Sequence, residues 1–159
     1  MSDIPSYYSA DRLILGVGNP LFGDDGFGPA VVEELENRGR LPNGMLALDV
    51  GTGVREILFN LLLSDERPKR IIIIDALDCG RSPGDVFKVS IEEIPAIKKH
   101  DFSLHLAPSL NLLKELKESG RVGVEIIACQ PESIPEIVRS GLSAPVRKAV
   151  QETADYLLT

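Results

Sequence analysis

The sequence predicts an α/β protein: a three-layer sandwich in which a twisted, mostly parallel sheet of about five strands lies between helices on both faces. Three observations carry this. Short apolar runs alternate with segments of helical periodicity along the whole chain. One run, Ile71-Ile72-Ile73-Ile74, is unbroken and β-branched, the composition of a parallel strand covered on both faces. The first apolar run ends in a glycine-rich loop, GVGNPLFGDDGFG at 16–28, that leads directly into a helical pattern.

Each element follows from its local pattern. Residues 12–17 are short, apolar and followed by glycine, which suits a buried strand. Residues 25–38 read as a helix, with Phe27, Val31 and Leu35 on one face, Pro29 in the first turn and Gly39 to end it. Residues 45–50 form a second strand containing Asp49, and 52–63 a second helix with Val54, Ile57, Leu58, Leu61 and Leu62 on one side. Residues 70–76 are the third strand, and 85–90 a shorter, alternating strand suited to a sheet edge. Residues 104–117 form a helix with Leu106, Leu110, Leu113 and Lys117 along one face, followed by a strand at 122–129. A turn or short helix is expected at 133–139. The last helix, at 144–158, has Pro145 in its first turn and Val146, Val150, Thr153 and Leu157 inward. Residues 1–11 are expected to be a flexible tail and 12–159 a single domain.

At 159 residues the chain has the usual size of one domain, and its 43% hydrophobic and 26% charged residues are ordinary for a globular protein. The longest apolar runs are far too short to span a bilayer, and the opening MSDIPSYYSADR lacks the basic-then-apolar pattern of a signal peptide. A formal charge of −7 argues against a nucleic-acid partner. The expectation is a cytoplasmic protein without membrane insertion. Cys79 and Cys129 fit neither a disulfide framework nor a zinc ribbon, and both are expected to be buried small hydrophobes in a reducing compartment.

The glycine-rich loop is not a phosphate cradle. The dinucleotide pattern fits Gly16 and Gly18 but meets Leu21 where a third glycine belongs, and no lysine supplies a Walker motif. Asp24 and Asp25 would also repel a phosphate at the helix start. Two readings of the pair stay open: helix capping, and a cation site. Ligands of open α/β sheets gather beyond the carboxyl ends of the parallel strands. Asp49 stands at the end of the second strand, Asp75 at the end of the third with Asp78 three residues on, and the segment HDFSLH brings His100 and His105 before the third helix.

The segments GVGNPLFGDDGFG, DVGTG, DALDCGRSPG, SLH and CQP occur in the order seen in the hydrogenase maturation endopeptidases, which the chain resembles from about residue 12 to 158. These are nickel-dependent proteases that trim the large subunit of nickel–iron hydrogenases. The resemblance implies the same twisted sheet between helices. It implies Asp25, Asp75 and His105 as metal ligands, and Asp49 as a further residue for cleavage or substrate recognition, so that Asp25, Asp49, Asp75 and His105 form the catalytic set. Val50 departs from the glycine found there in many members, though Gly51 and Thr52 remain. His100 falls outside the motif and reads as a solvated loop residue.

The implied partner is the large-subunit precursor, whose C-terminal extension is removed after nickel insertion, just beyond the cysteine motif that holds the metal centre. The implied cofactor is nickel supplied by that substrate, with zinc or another divalent ion as a stand-in in vitro. Two carboxylates and one imidazole, without thiolates, hold nickel loosely, which suits a site that checks the substrate for its metal. Hydrolysis by metal-activated water and by a carboxylate base, Asp49 or Asp24, remain alternatives. Asp24 reads as an N-cap or supporting group. Asn19 and Gln130-Pro131 are expected to support the same rim. No H-E-x-x-H or G-x-S-x-G occurs. Two competing readings are a non-cleaving, nickel-sensing chaperone of the large subunit and a peptidyl-tRNA hydrolase-like enzyme. The latter shares the G-x-G-N-P opening but calls for a T-R-H-N-type segment and a basic face, both missing here.

Overall fold

The computed structural model describes residues 7–96, 106–119 and 121–159. Within them, five strands form one sheet: β1 (Arg12–Val17), β2 (Met45–Gly51), β3 (Arg70–Ala76), β4 (Val86–Val89) and β5 (Gly123–Cys129), in the order β2-β1-β3-β5-β4. All neighbours are parallel except β4, which runs antiparallel to β5 at the edge. The described helices are α1 (Phe27–Asn37), α2 (Val54–Leu63), α3 (Leu110–Glu118) and α4 (Ala144–Leu157).

Strand alternation divides the core into two layers. Leu13, Leu15 and Val17 of β1 and Ile71 and Ile73 of β3 face α2 and α3, where Leu58, Leu61, Leu113 and Leu116 meet them. Ile14, Ile72 and Ile74 face α1 and α4, with Phe27, Val31, Leu35, Val146 and Val150. The expected three-layer sandwich is therefore the observed one. The chain leaves β1 through α1 on one face to reach β2. It then crosses by α2 on the other face to reach β3, on the far side of β1. The carboxyl ends of β1 and β3 thus flank the switch point where open α/β sheets bind their ligands.

Glycine makes that junction tight. A Cβ on Gly28 would lie 2.5 Å from the Ile74 carbonyl oxygen and still closer to that of Val17, and one on Gly16 would lie 2.5 Å from the Gly28 carbonyl oxygen. The first turn of α1 is pressed onto the ends of β1 and β3, and any side chain there would lift it off.

Several local expectations are corrected. Asp24 and Asp25 do not open α1; Gly23–Gly26 form a 3-10 turn and the helix starts at Phe27. α2 starts at Val54, after a turn closed by the bond from the Gly53 N–H to the Val50 carbonyl. Ala107–Ser109 is a 3-10 turn ahead of α3, and the buried face of that helix carries Leu113 and Leu116, whereas Lys117 reaches outward toward Glu92. No helix forms at 133–139. The segment instead runs alongside the glycine-rich loop, held by a parallel bridge between Phe22 and Arg139. Tyr7, Tyr8 and Ala10, in the segment expected to be a tail, pack against the α2–α3 core layer. No helix among the described residues is long and apolar enough to cross a membrane.

Candidate active site at the carboxyl rim of the sheet

The loop after β1 is held by its own polar groups. Gly18, at φ +135°, leaves no room for a Cβ against the Asp25 carbonyl, and its N–H donates to the Gly51 carbonyl of β2 at 2.9 Å. The Asn19 side chain accepts the Leu21 N–H at 3.0 Å, an Asx turn. The Asn19 N–H donates to Asp25 Oδ2 at 2.9 Å. The Asp25 carboxylate therefore closes the loop that carries it, and it is only 3% exposed.

Asp75 is the last residue but one of β3 and is fully buried, with Oδ1 accepting the Ala76 N–H at 2.9 Å. By alternation it follows Ile71 and Ile73 to the α2–α3 face. The 3-10 turn holding Asp25 packs against β3, so the two carboxylates share one rim. Asp49 stands opposite Gly16 in the register of β1 and β2, is exposed, and accepts the Gly51 N–H at 3.0 Å. His105 and His100 lie outside the described residues. Leu106, which follows His105, is buried in the core layer that Asp75 faces. Among the described residues no three His, Cys, Asp or Glu side chains stand close enough to hold a metal ion.

Asp24 does something the sequence did not disclose. It caps neither its own 3-10 turn nor α1. Its Oδ1 accepts the Ser143 N–H at 2.7 Å, and its Oδ2 accepts the Glu132 N–H and the Ser143 hydroxyl, each at 2.8 Å. This buried carboxylate ties residues 132–143 and the start of α4 to the glycine-rich loop. With both oxygens committed to three donors, it serves as a strut. The signal for this was absent from any local motif, because Ser143 is 119 residues away.

Gln130, expected on the rim, holds the loop that follows Asp75. Its Oε1 accepts the N–H groups of Cys79 and Arg81 at 2.8 and 3.1 Å, and its Nε2 donates to Asp78 Oδ1 at 3.0 Å and to the Pro131 carbonyl at 3.2 Å. All four bonds of the amide are made. The two cysteines divide: Cys129 is buried, as expected, whereas Cys79 is exposed because its backbone sits on this pinned outer loop. Burial, with the Asp24 charge second, pushes the Cys129 thiol up to about 12, which leaves it protonated and inert at neutral pH. The rim carries the carboxylates of Asp25, Asp49 and Asp75, and Cys129 offers no nucleophile.

Known proteins share both the sequence and the fold. The hydrogenase maturation protease family model matches residues 29–159. A Methanocaldococcus jannaschii protein provisionally named a hydrogenase maturation protease is 41% identical, over 93% of this chain and 94% of its own length. The coenzyme F420 hydrogenase subunit delta of Methanothermobacter thermautotrophicus is 35% identical, over 95% of this chain and 94% of its own. The solved structure of the Escherichia coli hydrogenase maturating endopeptidase HybD superposes with a TM-score of 0.73 at 29% identity, covering 92% of this chain and 89% of that one. These matches displace the peptidyl-tRNA hydrolase reading. The chain belongs to the hydrogenase maturation protease family, a family of peptide hydrolases.

Proposed function

We propose that this protease removes the C-terminal extension of a nickel–iron hydrogenase large-subunit precursor, and does so only after nickel has been inserted. The observation that supports this reading is that two buried carboxylates, Asp25 and Asp75, come from neighbouring elements at the β1–β3 switch point, where open α/β sheets bind their ligands. The resemblance implies His105, which directly precedes Leu106 in the sequence, as the third ligand, and an imidazole would add a borderline nitrogen donor to two hard oxygens.

In this account the nickel is substrate, carried in by the precursor. Asp25, Asp75 and His105 complete its coordination and so dock the cleavage site only on loaded precursor. A water adds to the scissile carbonyl, and Asp49 accepts its proton and returns it to the leaving amine. Zinc or another divalent ion would occupy the same donors in vitro, and the protein would act in the cytoplasm where its partner is assembled.

One relative is named as a hydrogenase subunit. That favours a second reading, in which the chain senses nickel and stays bound without cutting. Mixing the purified protein with nickel-loaded and nickel-free precursor separates the two. Mass spectrometry should show tail release from the loaded precursor alone. A stable complex with an intact tail would support the chaperone, and equal trimming of both precursors would refute nickel recognition.

A further inference from the structure

Beside Asp49 lies an open groove of about 540 Å³, bounded by the glycine-rich loop, α1, the end of β2 and residues 140–142. Pro20, Pro29 and Leu142 give it apolar walls, and Glu33, Glu36 and Asp49 place carboxyl groups around it. No lysine or arginine is among its lining residues. Glu33 and Glu36 are exposed and one turn apart on α1. Arg38, at the end of that helix, is committed elsewhere, to Glu34 at 2.9 Å and to Asp155.

The groove also borders an incomplete strand. Arg139 turns both its backbone groups to the glycine-rich loop, donating to the Leu21 carbonyl and accepting from the Gly23 N–H, each at 2.8 Å. The next residue, Ser140, lines the groove and makes no backbone hydrogen bond to another described residue. Leu21, Ile137 and Val138 stand exposed alongside, at 51%, 67% and 66%. An edge with flanking apolar side chains accepts an extended peptide by strand addition.

We infer that this groove binds an extended stretch of the precursor that carries an arginine or lysine, with the cationic side chain between Glu33 and Glu36. The assignment rests on the proposed function only for the source of the peptide. Charge complementarity selects the occupant: an acidic or phosphorylated segment would be repelled, and the net charge of −7 steers a basic one inward.

The test uses two end-blocked heptapeptides of alternating valine and serine, one with a central arginine and its twin with a central glutamate. In nitrogen-15 spectra of the full chain, the arginine peptide should shift amides at 20–36, 49–51 and 138–142, and the glutamate peptide should not. Glu33→Gln with Glu36→Gln, both on exposed helix surface, should weaken that binding about tenfold and flatten its salt dependence. Equal shifts from both peptides, or wild-type affinity in the double variant, would overturn the groove. A second readout separates the claims. On nickel-loaded precursor the double variant should raise KM about tenfold with kcat unchanged. If the wild type trims precursor and the variant's KM does not move, the groove assignment falls alone. If arginine-selective binding holds but the wild type trims nothing, the groove stands and the proposed function falls.

Discussion

Two adjacent aspartates in the same 3-10 turn are held in opposite ways. Asp24 reaches across the fold to Glu132 and Ser143 with both oxygens, whereas Asp25 accepts the N–H of Asn19 within its own loop. Asp49 and Asp75 follow the second pattern, each accepting an N–H from its own strand end. The rim therefore has a stapled region, built on Asp24 and Gln130, and a presenting region, built on Asp25, Asp49 and Asp75. Long-range bonds fix where the loops sit. Local bonds orient the carboxylates of the presenting region within their own loops and strand ends.

That contrast can be broken by substitution. The largest effect should come from Asp75→Asn: processing of nickel-loaded precursor should fall by about 10³-fold, while the unfolding midpoint stays close to that of the wild type. Loss of folding alongside activity would move Asp75 into the stapled region. Asp24→Ala should do the reverse of Asp75→Asn in kind. It strands two backbone N–H groups and a hydroxyl, and should lower stability by about 3 kcal/mol in urea unfolding. A midpoint shift worth less than about 0.5 kcal/mol would show that the staple is ornamental.

The smallest effect lies at the end of β5. Because the Cys129 thiol is raised to about 12 in the fold against 9.0 unfolded, its contribution is fully present below pH 9 and is lost as pH rises toward 12. Cys129→Ala should flatten that alkaline decline relative to the wild type, and identical pH profiles would show that the thiol is not sheltered. Thiol alkylation of the folded protein should modify Cys79 alone.

Much of the architecture was legible because it depends on local pattern. The bounds of β1 and β3 follow from their apolar runs, and the inward residues of α4 from helical spacing. The errors occur where a distant contact decides. The choice of Leu116 over Lys117 depends on which way α3 meets the sheet, and the non-helical path of 133–139 depends on pairing with residues 21–23. Asp25, Asp49 and Asp75 could be placed on one rim from strand order alone, since parallel strands all deliver their carboxyl ends to the same side. The staple by Asp24 and the acidic groove could not, because each joins segments far apart in the chain and neither has a local signature. His105 was singled out by its motif and lies outside the described residues.

The most direct test of the presenting region is Asp25→Asn, measured on nickel-loaded precursor with an unfolding curve taken in parallel. The account predicts a wild-type unfolding midpoint and no detectable tail release by mass spectrometry. Release at the wild-type rate would contradict it.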